Sequence, residues 1–316
     1  MNEFDLIRRY FAELTSVRGA AGVKLGIGDD AAILELPPGH ELVVSTDTLV
    51  AGRHFEAKAD AADIGWKSLA VNLSDLAAMG AQPRWVTLAL TIEKVDEPWL
   101  SGFAAGLREL ATTHGVSLVG GDTTRGPLSI TVTAMGVVPA GTALRRDGAR
   151  AGDVICVTGT LGDAALGLRL LGSEVDVPGL RARLDRPQPR LAAGQALRGL
   201  AHAAIDLSDG LAGDLAHVLR ASGVGARIEA DRLPASKDFL RHLTADMSRV
   251  ALQAQGGDDY ELCVCLPAQA LEAAIASLEG LPLTVVGEIT AERGLRFVDG
   301  AGATIAVPPH GYRHFE

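Results

Sequence analysis

The segment from Ala61 to Ile92 reads AADIGWKSLAVNLSDLAAMGAQPRWVTLALTI and changes its hydrophobic pattern part-way along. Between Ala61 and Met79, apolar residues recur every three or four positions, which predicts an amphipathic helix. Residues 86–92 form a short, mainly apolar run of β-formers, which predicts a strand. A helix followed directly by a strand is a unit from which mixed α/β folds are built.

The same interleaving continues on both sides of this segment. Helices are predicted at 4–14 and 99–113, and strands at 42–48, 116–119 and 128–138. A turn-rich stretch at 139–152 predicts a domain boundary. Beyond it we expect strands at 154–157, 203–207, 261–266 and 283–286, and helices at 162–171 and near 209. Pro187 and Pro189 predict an exposed connection.

Length and composition agree with this arrangement. A chain of 316 residues corresponds to about two domains at roughly 150 residues each. We therefore expect an α/β protein with two mixed domains, at 1–140 and 150–316. The apolar fraction of 47% and the charged fraction of 22% are typical of a folded globular protein.

The charge and the apolar pattern exclude several classes of partner. Asp and Glu number 39 against 29 Lys and Arg, a net charge of −10, which argues against a nucleic-acid-binding surface. The sequence contains no apolar run near the roughly 18 to 20 residues that cross a membrane. The N-terminal residues lack the pattern of a signal peptide. We expect a cytoplasmic protein with no membrane partner.

Aspartates next to glycine, serine or threonine are the most informative feature. They occur in six segments: GIGDD (26–30), STDT (45–48), LSD (73–75), GGDTTRG (120–126), DLSDG (206–210) and GGDDYE (256–261). Any one of them alone is typical of a turn or a helix cap. If the six converge, their like charges require cations, because repulsion would otherwise raise the carboxyl pKa values. Mg²⁺, which prefers oxygen ligands and is often shared with substrate phosphates, is the natural choice.

The common phosphate-binding motifs are missing from the sequence. It contains no P-loop, no protein-kinase motif set and no complete dinucleotide fingerprint. A phosphoryl-transfer enzyme without a P-loop lysine has to offset phosphate charge with metals and arginines. Arginines 53, 125, 145 and 146 stand near the acidic segments or in the boundary stretch, and His54 follows the STDT segment closely.

Six longer motifs together resemble the thiamine-monophosphate kinase family. They are GIGDDAA (26–32), STDTLVAGRHF (45–55), WKSLAVNLSDLAAMGA (66–81), GGDTTRGP (120–127), AIDLSDGL (204–211) and GGDDYEL (256–262). The resemblance covers nearly the whole chain. Aminoimidazole ribonucleotide synthetase, selenophosphate synthetase and hydrogenase maturation proteins belong to the wider superfamily, which shares the acidic loops.

The resemblance implies a fold and a reaction. The fold is two α/β domains of the aminoimidazole ribonucleotide synthetase type, in a homodimer whose N-terminal sheets pair into a barrel. The reaction is direct, in-line transfer of the γ-phosphoryl group of ATP to thiamine monophosphate, giving thiamine diphosphate. Several Mg²⁺ ions bridge the phosphates, and K⁺ is a possible further cation.

The resemblance also implies roles for individual residues. The expected metal ligands are Asp30, Ser45, Thr46, Asp47, Asp75, Asp122, Asp206 and Asp209, of which Asp47, Asp122 and Asp209 are expected to be catalytic. The expected nucleotide contacts are Gly121, Asp122, Arg146 and Ser208. The expected substrate contacts are His54, Asp258 or Asp259, and Tyr312. Asp29 is either a further ligand or a residue that orients its loop. Asp258 replaces the glutamate often found in the family motif.

Two other functions are compatible with these residues. The first is another ATP-dependent enzyme of the superfamily with a different small acceptor. The second is a non-catalytic sensor of cations or nucleotides. The sensor is disfavoured because His54, Arg146 and the terminal aromatic residues accompany the acidic loops, and a storage site would not need them.

Overall fold

The structure is a computed structural model and describes residues 3–12, 14, 21–56, 58–308 and 311. The chain divides into two units, Met1–Leu76 with Ala81–Gly141, and Ala77–Gly80 with Thr142–Glu316. Both units combine helices with β-sheet, so the predicted α/β class with two mixed domains is confirmed. In the described part of the chain, no helix is both long and apolar enough to cross a membrane.

The first unit contains the predicted helix and strand of the 61–92 segment. Its helices are α1 (Glu3–Tyr10), α2 (Ala61–Ala78) and α3 (Glu97–His114). Its strands are β1 (Val23–Leu25), β2 (Ile33–Leu34), β3 (His40–Val50), β4 (Gln82–Ile92), β5 (Ser117–Arg125) and β6 (Ser129–Pro139). Helix α3 begins after Asp96, whose side chain accepts a hydrogen bond from the Trp99 backbone N–H. It ends at Gly115 in the left-handed conformation.

A four-stranded sheet in the order β3-β6-β4-β5 forms the centre of the first unit. Strands β4 and β5 are parallel, and the other neighbours are antiparallel. One face is buried, with Leu49, Leu88, Leu90, Ile130 and Val132 in the core. On the opposite face of the edge strand β3, the side chains of Leu42, Val44 and Val50 are exposed. Alternation of side chains along a strand explains this division.

The second unit is built on a seven-stranded sheet in the order β13-β12-β9-β11-β7-β10-β8. Its strands are β7 (Asp153–Thr158), β8 (Ala203–Asp206), β9 (Gly225–Glu229), β10 (Leu262–Pro267), β11 (Leu283–Thr290), β12 (Gly294–Val298) and β13 (Thr304–Ile305). Its helices are α4 (Asp163–Leu170), α5 (Pro178–Asp185), α6 (Leu191–Leu197), α7 (Leu211–Ser222), α8 (Lys237–His242), α9 (Arg249–Gln255) and α10 (Leu271–Ser277).

The sequence predicted the longer or more apolar of these elements and missed the shorter ones. Strands β9, β12 and β13 and helices α5, α6, α8, α9 and α10 were not predicted. Each has eight residues or fewer, which is too short for the helical or strand period to be recognised reliably. Strand β9 lies inside the sheet, parallel to β12 and antiparallel to β11.

Candidate active site

A cavity of about 820 Å³ in the first unit brings two of the acidic segments together. One wall is α1, a second is the loop after β1, and a third is formed by β4 and β5. The loop contributes Asp29 and Asp30, and β5 contributes Gly121 and Asp122. Sequence analysis placed three of these residues, Asp30, Gly121 and Asp122, in the metal and nucleotide site, and all three line this cavity.

Glycine is required at position 121 by a close approach of two strands. Gly121 has a φ of 148°, and a Cβ added there would lie 1.8 Å from the Leu88 carbonyl oxygen of β4. Any side chain would therefore push β5 away from β4. The next residue, Asp122, is exposed in the cavity. The tight packing at Gly121 thus determines where the Asp122 backbone lies.

Asp29 has a local structural role in its loop. Its Oδ1 accepts a hydrogen bond from the Asp30 backbone N–H over 2.8 Å. This is the short side-chain-to-backbone bond by which aspartate shapes turns. This contact agrees with the loop-orienting alternative for Asp29, and its role as a metal ligand stays a prediction.

Helix α2 contacts the STDT segment of β3 on the buried side of the sheet. The Ser45 hydroxyl donates a short hydrogen bond to Asp75 Oδ2. The Asp47 backbone N–H donates to Asn72 Oδ1 over 3.0 Å. The helix therefore holds three predicted ligands, Ser45, Asp47 and Asp75, close to one another.

Thr46 lies apart from that group. Its hydroxyl is hydrogen-bonded to the Thr133 hydroxyl over 2.9 Å, on the exposed face of the sheet. Since successive side chains of a strand point to opposite faces, the Thr46 hydroxyl points away from Ser45 and Asp47. The expected role of Thr46 as a metal ligand beside these two residues stays a prediction.

His54 lies in the turn that follows β3. The Val50 backbone N–H donates to His54 Nδ1 over 2.9 Å. When the ring is neutral, its proton is therefore on Nε2, because Nδ1 acts as the acceptor. This contact fixes the ring orientation and makes Nε2 a hydrogen-bond donor.

In the second unit, the DLSDG segment connects β8 to the start of α7. Asp206 is buried, and Ser208 and Asp209 are partly buried. The Asp209 backbone N–H donates to Asp214 Oδ2 over 3.0 Å. Burial raises the pKa of Asp214 well above its usual range, and the nearby charges of Asp206 and Asp209 raise it further. Sequence analysis missed Asp214, although its place in the first turn of a helix beside two aspartates was a usable signal.

The charges of Arg146 and of Asp209 in the DLSDG segment both influence the pKa of His217 in α7. Burial lowers the pKa of His217, and the positive charges of Arg220 and Arg146 lower it further, while Asp209 opposes them. The Ser222 hydroxyl at the end of α7 donates to the Arg146 carbonyl over 2.9 Å. The Arg146 backbone is therefore attached to the helix that begins after the DLSDG segment, and its side chain is exposed.

Three backbone hydrogen bonds join the GGDDYE segment to the DLSDG segment. Asp258 N–H donates to the Ser208 carbonyl over 2.9 Å, and Tyr260 N–H donates to the Leu207 carbonyl over 2.8 Å. Leu207 N–H donates in return to the Glu261 carbonyl over 2.9 Å. The predicted nucleotide and metal segment and the predicted substrate segment thus form one connected structure.

The expected substrate contact of Asp259 needs correction. Its side chain is only 2% exposed, and both carboxylate oxygens accept from the Gly162 backbone N–H, over 2.9 and 3.0 Å. Burial raises the pKa of Asp259 well above its usual range. Asp259 therefore supports the loop before α4 from the interior. Of the two aspartates, Asp258 is the one that remains partly exposed.

Glu261 is the centre of a buried ion-pair network. It is 0% exposed and accepts from Arg183 over 2.7 Å, from Arg190 over 2.6 Å and from the Thr158 hydroxyl over 2.7 Å. The expectation of an exposed connection at Pro187 and Pro189 is wrong for the prolines themselves, because both are buried. Gln188, which lies between them, is exposed.

Tyr312, an expected substrate contact, lies outside the described residues. Its neighbour Gly311 lies against the DLSDG segment. A Cβ added to Gly311 would lie 1.9 Å from the Asp209 carbonyl oxygen, so only glycine fits.

The donor chemistry of these residues fits a hard cation. The predicted ligands are carboxylates and hydroxyls, the oxygen donors that Mg²⁺ prefers. Within the described ranges, no group of three or more His, Cys, Asp or Glu side chains is arranged to hold a metal by itself.

Comparisons with known proteins agree with this description. Residues 28–138 match the family model "AIR synthase related protein, N-terminal domain", and residues 150–300 match "AIR synthase related protein, C-terminal domain". Thiamine-monophosphate kinase of Salmonella typhimurium is 50% identical over 323 residues, covering 99% of this chain and 98% of that protein.

Two solved structures are also similar. Thiamine-monophosphate kinase from Stenotrophomonas maltophilia is 48% identical, with a TM-score of 0.85, over 94% of this chain and 96% of the other. AaThiL complexed with AMPPCP and TMP is 30% identical, with a TM-score of 0.79, over 92% of each chain. The acidic motifs, the two-unit α/β fold and these full-length similarities lead to one conclusion: the chain belongs to the thiamine-monophosphate kinase family.

Proposed function

We propose that this protein transfers the γ-phosphoryl group of ATP to the phosphate of thiamine monophosphate, giving ADP and thiamine diphosphate. The observation that carries the proposal is the cavity of the first unit, which places Asp30 beside Gly121 and Asp122. Family membership supplies the reaction, and the related AaThiL was solved with AMPPCP and TMP.

The cavity is suited to a nucleotide. Its volume of about 820 Å³ lies within the range of roughly 300 to 1,000 Å³ that is usual for small-molecule sites. It combines apolar walls from Ile7, Phe11 and Leu118 with exposed backbone at Gly120 and Gly121. Gly121 and Asp122, which line this cavity, are proposed nucleotide contacts. The family resemblance adds Arg146 and Ser208 to the proposed nucleotide contacts.

Mg²⁺ is the cation that these donors fit. When bound, it offsets phosphate charge and aligns the reacting groups. The proposed ligands are Asp30, Ser45, Thr46, Asp47, Asp75, Asp122, Asp206 and Asp209. Asp47, Asp122 and Asp209 are proposed to be catalytic through the cations they hold. K⁺ is a further candidate to be varied in the assay.

Two described residues are proposed to contact thiamine monophosphate. His54 can donate a hydrogen bond from Nε2, because Nδ1 already accepts from Val50. Asp258 supplies a partly exposed carboxylate, and the thiazolium ring of the substrate is positively charged. Tyr312 is proposed to complete the site by packing on the rings.

The mechanism requires no protein nucleophile. The acceptor phosphate oxygen attacks the γ-phosphorus while the bond to the β-phosphate oxygen breaks. The protein positions the two phosphates and offsets their charge, which are the usual sources of catalysis in phosphoryl transfer. This role agrees with a site that is rich in carboxylates and hydroxyls.

We further propose that the enzyme is a cytoplasmic homodimer. The exposed face of β3 presents Leu42 and Val44, which are 44% and 53% exposed, beside threonines 46 and 48. An exposed apolar edge strand is usually covered in a functional assembly. The dimer barrel implied by the family resemblance would cover this face of β3 with the same sheet of a second copy of the chain.

The reaction is tested by measuring ADP release with ATP and Mg²⁺, using thiamine monophosphate or free thiamine as acceptor. We expect ADP with the monophosphate alone, thiamine diphosphate by mass spectrometry, and loss of both products after chelation of the metal. Folded protein that binds ATP but turns over neither acceptor would contradict the proposal and favour the sensor. ADP release with a different small acceptor would favour another enzyme of the superfamily.

A further inference from the structure

The backbone of the GGDDYE segment adopts an unfavourable conformation at two positions. Asp258 has a φ of 68° and Tyr260 a φ of 48°. Among the described residues, Glu279 is the third non-glycine residue with a positive φ. Left-handed backbone is disfavoured for residues with a Cβ and is rare for a bulky one such as tyrosine. Such conformations persist where surrounding contacts impose them, and they cluster at functional sites.

The contacts that impose this conformation lie on both sides of the segment. On one side are the backbone hydrogen bonds to Leu207 and Ser208. On the other, Asp259 is held by Gly162, and Glu261 is held by two arginines. Residues 259 and 261 therefore anchor the segment in the interior, and residues 258 and 260 are left to face each other.

The side chains of Asp258 and Tyr260 meet directly. The Tyr260 hydroxyl donates to Asp258 Oδ1 over 3.1 Å. Tyr260 is only 8% exposed, so its ring is fixed by packing. The hydroxyl must be the donor if the aspartate is ionised, because a carboxylate only accepts. The direction of the Asp258 carboxylate is therefore set by a rigid neighbour.

We propose that Tyr260 is a positioning residue for thiamine monophosphate, acting by orienting the carboxylate of Asp258 toward the substrate. The inference rests on the proposed function, since it takes Asp258 as a substrate contact. Preorganised groups bind better than mobile ones, because less freedom is lost when the ligand arrives. The strained backbone serves this purpose by bringing the two side chains together across a single residue.

The experiment compares wild type with Tyr260→Phe, Asp258→Asn and the double variant. Tyr260→Phe removes the hydroxyl and keeps the buried ring. For each protein, kcat and the KM values for thiamine monophosphate and for ATP are measured, together with the Tm. Tyr10→Phe is the matched control, because the buried Tyr10 hydroxyl has no hydrogen-bond partner within the described part of the chain.

We expect Tyr260→Phe to raise the KM for thiamine monophosphate about tenfold, which corresponds to about 1.4 kcal/mol. The KM for ATP and the Tm should change little. The double variant should be no worse than Asp258→Asn, because the hydroxyl acts only through that carboxylate. Tyr10→Phe should match wild type.

Three results would overturn the inference. The first is an unchanged KM for thiamine monophosphate in Tyr260→Phe. The second is a double variant whose loss equals the product of the two single losses, which would mean that the residues act independently. The third is a fall in Tm with equal changes in both KM values, which would show a merely structural role.

Failure of the proposed function can be told apart from failure of this inference. If wild type makes no thiamine diphosphate, the proposed reaction is wrong. Calorimetric titration of thiamine monophosphate, with a non-hydrolysable ATP analogue present, then tests the orientation of Asp258 without turnover. A similar dissociation constant for wild type and Tyr260→Phe would refute the positioning role, and a clearly weaker one for the variant would support it.

Discussion

Asn72 Oδ1 accepts a hydrogen bond from the backbone N–H of Asp47 over 3.0 Å. The Asn72 amide in turn donates to the Ser68 carbonyl within α2, over 3.0 Å. Asn72 is 0% exposed, so its contact with Ser68 is buried, and its contact with Asp47 is part-buried. Strand β3 lies at the sheet edge, and Asn72 satisfies one of its backbone donors there. The contact also fixes the backbone of a residue that we propose to be catalytic.

Replacing Asn72 by alanine should destabilise the protein and slow the reaction. The substitution removes the acceptor of the part-buried Asp47 N–H, and a typical hydrogen bond of this kind contributes about 1 kcal/mol. Urea unfolding followed by circular dichroism measures this loss. Gln269→Ala, at an exposed position, is the control and should change the free energy of unfolding by less than about 0.5 kcal/mol. Equal stability of the two variants would show that the Asn72 contact contributes nothing.

Asp47→Asn and Asp122→Asn should each lower kcat by about 100-fold or more while the Tm stays near the wild-type value. Each change removes a charge that holds a cation against the phosphates, and losses of this size are typical of electrostatic catalysis. Initial rates over a range of Mg²⁺ concentrations measure the effect. Asp176→Asn, an exposed change in the second unit, serves as control. Wild-type rates in either site variant would remove that residue from the metal site.

Gly311→Ala should raise the KM for thiamine monophosphate several-fold and leave the KM for ATP nearly unchanged. A Cβ at this position would overlap the Asp209 carbonyl oxygen, so residue 311 or the Asp209 backbone must shift. Tyr312→Ala should also raise the KM for thiamine monophosphate, because Tyr312 is proposed to pack on the rings of this substrate. Unchanged constants in both variants would limit the chain end to a structural role.

Arg190→Met should lower the free energy of unfolding by about 3 kcal/mol. The substitution removes one of the two arginines whose positive charge balances the buried Glu261 carboxylate. Chemical denaturation measures the change. The matched control is Arg232→Met, which breaks an exposed pair with Glu229 and should cost less than about 1 kcal/mol. If both variants lost a similar free energy of unfolding, the buried pair would contribute no more to stability than the exposed one.

Val44→Lys should convert the proposed dimer to a monomer. The charge would stand in the middle of the exposed apolar row of β3, where a second sheet would have to desolvate it. Light scattering coupled to size exclusion gives the mass of each species, against 32.8 kDa for one chain. Lys58→Glu, an exposed change outside β3, is the control. A wild-type mass of one chain at micromolar concentration would refute the dimer itself.

The sequence by itself determined the fold class, the main elements and the family. These properties are encoded locally: the helical period of 61–79 is visible within a few turns, and each acidic motif is contiguous. Helix α2 and strands β3, β4 and β6 are therefore found close to their predicted bounds. The family motifs likewise assigned Asp30, Gly121 and Asp122 to the metal and nucleotide site, and the structure places all three around one cavity.

Only the tertiary structure decided which polar residues face the site and which support it. Asp258 and Asp259 are adjacent in the sequence, yet one is partly exposed and the other is buried against Gly162. Arg190 and Glu261 are 71 residues apart and form a buried pair that no local pattern indicates. Burial and pairing arise from contacts between distant segments, and these contacts determine whether a carboxylate binds a ligand or holds the loop that does.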